Sequence, residues 1–203
     1  MGQLSTNKPF ETEVRFFIQD IDNFKKTVEQ LGAELIREYS FTDYYFIPQN
    51  VKWNLDEKTL RIREWRQPQL PTAIWFTKQE IVNIDGFGFK RSLFPEGKVK
   101  LMEANKKECE TVLTELGFVP LVTINKKHGW VWQVKSQVLE FCIEDVEDLG
   151  WSGEFELDGT DVAAIKSAIK KHQLALKLTD DQLSAKPIVS TVIELSRTQP
   201  IKK

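Results

Sequence analysis

The chain has 203 residues, 41% of them hydrophobic and 29% charged, with a formal charge of −2. That balance excludes the global basic character on which nucleic-acid and acidic-membrane binders rely, so an anion site has to be gathered locally. Two separated cysteines, Cys109 and Cys142, no signal-peptide core and no membrane-length apolar run point to a soluble cytoplasmic protein, with no nucleic acid or membrane as partner.

Phe10 to Ile18 reads as a first strand. Successive strand side chains point to opposite sides, so Glu11, Glu13 and Arg15 share one face and Thr12 and Val14 the other. Two carboxylates and a guanidinium are costly on a buried face unless something binds there; taken alone, the segment also reads as a solvated edge strand. Asp20 or Asp22 can cap a helix whose stripe is Ile21, Phe24, Val28 and Leu31, stopped by Gly32. Ala33 to Ile47 is strand-like and rich in aromatic residues, and Pro48 breaks it. Leu60 to Arg66 alternates again, with Arg61 and Arg63 opposite Leu60 and Ile62.

A Pro-containing turn (68–71) leads to Ala73 to Lys78, the other arm of a hairpin. Asp85 to Gly88 is a turn, followed by a strand from Phe89 to Leu93. Asn105 to Leu116 forms an amphipathic helix closed by Gly117, which makes Cys109 a core residue. Short strands follow at Val122 to Lys127, Val131 to Lys135 and Val138 to Glu144, and a last one at Gly153 to Leu157, where Glu154 and Glu156 share a face. A helix from Asp161 to Leu174 completes a unit spanning residues 1–176, and 177–203 form a helical tail.

One-sided polarity recurs on too many strands to be incidental. Glu140 with Glu144, like the pairs above, lies opposite apolar residues, and Lys78, Arg91 and Lys126 interrupt otherwise apolar strands. A sandwich that buries its apolar faces and leaves these charges in water accounts for the pattern. So does a closed barrel whose apolar face lies under the helices and whose charged face looks into a lumen. In that lumen carboxylates would hold divalent cations, and Arg and Lys would hold phosphate oxygens.

The ordered set of motifs resembles the CYTH superfamily, or triphosphate tunnel metalloenzymes, which includes class IV adenylyl cyclases and thiamine and inorganic triphosphatases. The matching stretches are Glu11-Thr12-Glu13-Val14-Arg15, Thr42 to Phe46, Leu60-Arg61-Ile62-Arg63, Phe76-Thr77-Lys78, Arg91, Lys126 and Leu149 to Glu156. The resemblance implies an α+β fold, a closed eight-stranded antiparallel β-barrel flanked by helices, acting on a small-molecule triphosphate with Mg²⁺ or Mn²⁺. It implies Glu11, Glu13, Glu144, Glu154 and Glu156 as metal ligands. Arg15, Arg61, Arg63, Lys78, Arg91, Lys126 and His128 would line the phosphate path, Arg15 and Lys78 being the catalytic candidates. Hydrolysis of a nucleoside, thiamine or inorganic triphosphate is the expected activity. Cyclisation of ATP to cyclic AMP and pyrophosphate, and binding without turnover, are the alternatives; a homodimer is compatible with any of them.

The sequence departs from the family pattern at three places. Arg15 stands for a Lys, Leu93 for a Glu, and Lys126-Lys127-His128 for Lys-x-Arg. By parity with Arg63 and Lys126, Trp65 and Trp130 are the tryptophans expected to face the lumen, and Asp43-Tyr44-Tyr45 is expected to be structural.

Overall fold

The seam of the sheet is β1 (Phe10–Phe17), which pairs along its whole length with β9 (Gly150–Gly159) and, near Glu13, with β5 (Phe87–Ser92). From β5 the antiparallel ladder runs through β4 (Ala73–Ile84), β3 (Lys58–Gln67), β2 (Glu34–Pro48), β7 (Phe118–Val134) and β8 (Leu139–Val146) to β9. Eight strands thus close a ring, which removes the exposed sheet edges that an open sheet would leave. The computed structural model describes residues 10–84, 87–94, 96–159 and 161–198; Asp85 and Gly86 of the expected turn lie outside them. Two short strands extend the ring: β6 (Val99–Glu103) on β4, and β10 (Leu183–Ser184) on β1.

The apolar faces look outward, and helices cover them. α1 (Ile21–Gln30) begins at Asp20, whose Oδ1 accepts a hydrogen bond from the Asn23 amide at 3.0 Å. Its Phe24 and Val28, with Ile165 and Ile169 of α3 (Val162–Ala175), bury Val14, Phe16, Phe141, Ile143 and Phe155 from the outside. α2 (Lys106–Glu115), held by a reciprocal cap between Asn105 and Glu108, lays Cys109 and Leu113 on Leu60, Ile62 and Ile74. Each such side chain contributes on the order of 1.5–3 kcal/mol. The charged faces are left inside, and the sandwich alternative falls.

The segment expected as a helical tail is fastened to the ring. After β10, α4 (Ile188–Thr198) brings Ile188, Val189, Val192 and Ile193 against Tyr45, Ile124 and Val146. Tyr45 and Ile124 share the inward face with Asp43 and Lys126 by strand alternation, so α4 stops one end of the ring. Ser190 Oγ donates to Asp56 Oδ1 at 2.7 Å, tying α4 to the segment before β3. Among the described residues no helix is long and apolar enough to cross a membrane.

Two elements differ from expectation. The strands expected at Val122 to Lys127 and Val131 to Lys135 are one strand, β7, because Gly129 pairs with Tyr39 and Glu144 instead of turning the chain. A Cβ on Gly129 would sit 2.3 Å from Tyr39 Cε2, so glycine there admits the tyrosine ring. β6 has no period-2 pattern: most of its residues are exposed.

Candidate active site

The ring encloses a cavity of about 560 Å³, open at the end away from α4. Eight carboxylates and eight cationic side chains line it, so its formal charge is balanced and its character lies in how the charges are segregated. One wall, from β1 and β9, carries Glu11, Glu13, Glu154 and Glu156. Arg61 and Arg63 of β3 line another wall, and Lys98, which precedes β6, follows the Gly97 that packs on Glu11.

Asp43 anchors the basic wall. It accepts from Arg63 Nε and Nη2 at 2.7 Å each, a bidentate pair, and Arg61 Nε lies 3.3 Å away. Burial pushes the Asp43 carboxyl up, but Arg63 and Arg61 override it and hold it below the usual range. Arg61 Nη1 also donates to Thr59 and Thr77 Oγ1, at 3.3 Å each. The Lys98 ammonium is pushed down by burial and by repulsion from Arg61 and Arg63, with Glu11 and Glu13 working against them, so it feels the charges of both walls.

The acidic wall divides in two. Deep in the ring, Arg15 donates to Ser152 Oγ at 2.9 Å and to Glu154, and stands 3.5 Å from Glu144 Oε2. Glu144 also accepts from Tyr39 Oη at 2.6 Å and from Lys126 Nζ at 2.5 Å. Glu144 and Glu154 lie close to the Cys142 sulfur: one ligand atom from each of the three falls within 4.8 Å of the others. Burial, with Glu144 and Glu154 beside it, pushes that thiol well up and keeps it protonated. Here every carboxylate already has cationic partners.

Toward Glu11 and Glu156, compensation is only partial. Lys90 pairs with Glu13, whose carboxyl burial would raise but which Lys90 brings below its ordinary value. Glu11 is pushed up to about 8 by burial, by a hydrogen bond with Glu13 and by the charges of Glu13 and Glu156. Glu156 is pushed up to about 7 by desolvation in the crowded cavity and by Glu13 and Glu154, although its side chain still reaches solvent. Gly97, with φ +71°, packs so closely that a Cβ would fall 2.1 Å from Glu11 Oε1. Glu11 and Glu156 are thus crowded until they resist ionisation, and with Glu13 they offer the hard oxygen donors that divalent cations take. Glu144, sealed by three donors and 2% exposed, is the least available of the five carboxylates expected as ligands.

The structure therefore brings Glu11, Glu13, Arg15, Arg61, Arg63, Lys126, Glu144, Glu154 and Glu156 to one cavity. Three expected residues lie outside it. Phe76 packs under α2, so Lys78 two residues on shares the outer face and is exposed; Thr77 and Gln79 face inward. Phe89 is in the outer core, so Arg91 faces out and pairs with Glu80, while Lys90 opposes Glu13 inside. With Lys90 in the wall, the position two residues on is Ser92 and not Leu93. His128 is exposed because a bulge intervenes: Lys126 pairs with Val146 and His128 with Asp145, leaving Lys127 extra and reversing the alternation. The same reversal takes Trp130 to the outer surface, where it stacks on Trp151 at 5.1 Å, whereas Trp65 lines the cavity.

Sequence reasoning missed Lys90, Lys98, Tyr39, Cys142 and Ser152. The apolar neighbour Phe89 signals Lys90, and parity with Glu140 and Glu144 signals Cys142; nothing local signals Lys98 or Ser152.

An antiparallel ring with ionisable groups inside and helices outside defines a tunnel-type protein. The chain belongs to the CYTH domain family, whose pattern matches residues 9–185. Among solved structures it is similar to a conserved hypothetical protein of Pyrococcus furiosus, with 22% identity, TM-score 0.66, and 89% of this chain and 98% of that one covered. It is also similar to a putative adenylate cyclase of Vibrio parahaemolyticus, at 14% identity and TM-score 0.64 over 93% and 99% of the two chains. A putative adenylyl cyclase of Hippeastrum, described as having a dominant triphosphatase activity, matches at 12% identity and TM-score 0.63 over 96% and 99%. At these identities the likeness is one of fold. Curated proteins give no match.

Proposed function

We propose that the protein is a divalent-metal-dependent enzyme that hydrolyses a triphosphate bound in its tunnel. The observation that carries this reading is the convergence of both signs of charge on one cavity: Glu11, Glu13 and Glu156 on one side, Arg61 and Arg63 on another, and Lys98 within reach of both groups. Neither wall is suited to be left alone. The carboxylates repel one another, the cations repel one another, and a metal–triphosphate complex brings the opposite charge to both.

On this reading Glu11, Glu13 and Glu156 hold Mg²⁺ or Mn²⁺. Such a cation, when bound, offsets the charge of the triphosphate and stabilises the negative charge that develops on the leaving phosphate. Arg61 and Arg63, oriented by Asp43, present guanidinium groups to phosphate oxygens, and Lys98 adds an ammonium near them. Arg15, Lys90 and Lys126 keep the acidic wall folded by compensating it from within. Because α4 stops the far end, substrate and product use the same mouth.

The test is a panel of ATP, GTP, thiamine triphosphate and tripolyphosphate, each with Mg²⁺ and with Mn²⁺, following phosphate, pyrophosphate and cyclic AMP. Metal-dependent phosphate release is expected, with a loss of at least about a hundredfold in Glu13→Gln, the order found when a group stabilising transition-state charge is removed. Pyrophosphate together with cyclic AMP from ATP would make the protein a cyclase instead. Binding of a triphosphate without any product would make it a binding module.

A further inference from the structure

Outside the tunnel, the last turn of α3 buries two polar side chains in succession. His172 is 3% exposed and Gln173 5%. His172 Nδ1 and Gln173 Oε1 are sealed from solvent without a hydrogen-bond partner among the described residues. The imidazole lies against the Phe155 ring on the outer face of β9, with the centroids 5.7 Å apart. An apolar side chain would fill this place at less cost, since a buried polar atom that gives up water and finds no partner is destabilising.

The surroundings offer a charged imidazole no help. The cluster that α3 joins consists of Phe155 and Leu157 of β9, Val14 and Phe16 of β1, and Phe24 and Val28 of α1. Glu13, Glu154 and Glu156 of the same two strands line the tunnel on the other side of the sheet. The charged residues of α1, Asp22, Lys25, Lys26 and Glu29, are exposed. Asp180, beyond the end of α3, is taken by Gln173 Nε2 at 2.7 Å and by Lys170 Nζ at 2.9 Å. Burial, and then the Lys171 ammonium next along the helix, hold the imidazole below its ordinary value, so the seated ring is neutral.

This turn also carries the strap to the stopper. The Leu178 amide donates to Gln173 O at 3.0 Å, and Gln182 Nε2 donates to Phe17 O at 3.0 Å. From there the chain runs directly through β10 into α4. We propose that His172 is an acid-sensitive latch: its neutral imidazole seats the end of α3, and protonation lifts that helix with the strap behind it, unseating α4 and opening the stopped end of the tunnel. Such a latch works whatever the tunnel binds. Below about 6.5, the ordinary histidine value, the lifted segment takes up a proton that the seated one refuses, so seating weakens as pH falls.

Hydrogen exchange of the full chain, read by mass spectrometry between about pH 7 and about pH 5 and corrected for the intrinsic rate, tests this in the wild type, His172→Leu and His172→Gln. In the wild type, protection of Val162–Ala175 and Ile188–Thr198 is expected to fall together, approaching tenfold per pH unit because one proton is linked to opening, while Leu139–Val146 of β8 keeps its protection. In both variants the slope is expected to vanish. Glu11 and Glu156 titrate in the same range with the opposite sign, so they do not produce this loss. Circular dichroism checks folding, and if His172→Leu misfolds, His172→Gln decides. A flat wild-type profile, or a slope that persists in the folded variants, overturns the latch. Loss of protection in α3 with α4 unchanged overturns its link to the stopper.

Discussion

Arg15 is held between three buried partners in the acidic wall. It is 3% exposed, and its guanidinium spans Ser152, Glu154 and Glu144, three positions that a single ammonium cannot reach with the same geometry. The two carboxylates raise its pKa further although burial works the other way, so it is a permanent cation in the wall. Removing it would strand two buried carboxylates whose remaining partners are Lys126, Lys90 and Tyr39. Arg15→Ala is expected to destabilise the fold by about 3–5 kcal/mol, and urea denaturation monitored by tryptophan fluorescence measures it. Arg15→Lys should recover part of the loss. A loss of activity with unchanged stability in Arg15→Ala would instead place the residue on the substrate.

At the scale of elements, the inside-out arrangement depends on side-chain alternation, and the sites where alternation breaks are where sequence and structure part. The first strand was legible because Val14 and Phe16 are apolar on one side and Glu11, Glu13 and Arg15 ionic on the other, and both faces are long enough to be told apart. Arg61, Arg63, Glu154 and Glu156 followed by the same rule. Lys78 and Arg91 did not, because each adjoins a polar neighbour, so basic character alone does not choose the face; Phe76 and Phe89, two residues before each, do. His128 and Trp130 were out of reach for another reason. The bulge at Lys127 is fixed by pairing with β2 and β8, which are distant in sequence. α4 was legible as a helix but not as a stopper, since its partners Tyr45, Ile124 and Val146 come from three separate strands. Val189 is fully buried there. Val189→Ala is expected to cost roughly 2 kcal/mol, chiefly as lost burial, and equilibrium unfolding in urea checks it. A change below about 0.5 kcal/mol would mean that α4 does not seat in the ring.

For the whole molecule, the charge pattern predicts how stability depends on pH and metal. Glu11 and Glu156 have folded pKa values raised to about 8 and about 7, well above those of carboxyls in an unfolded chain. Between the unfolded and folded values the native state keeps protons that the unfolded state has released. By linkage, stability therefore falls as pH rises from about 4.5 through 8. Asp43 and Glu154 behave in the opposite sense. Burial opposes their ionisation, but Arg63 and Arg61 at one, and Arg15 and Lys90 at the other, lower them, so their contribution is present above the unfolded value and lost as pH falls through the folded one. Without divalent metal, the melting temperature is expected to peak on the acid side of neutrality and to decline towards pH 8. Mn²⁺ should lift the alkaline limb far more than the acid one, because its ligands must be deprotonated to bind and binding to the native state adds stability. Thermal melts from pH 4.5 to 9, with and without Mn²⁺, measure both effects. The double variant Glu11→Gln with Glu156→Gln should melt higher than the wild type at pH 8 in chelator, show a flatter alkaline limb, and lose the response to Mn²⁺. A wild-type alkaline limb that stays flat, or a Mn²⁺ response that survives in the double variant, would move the cation away from Glu11 and Glu156.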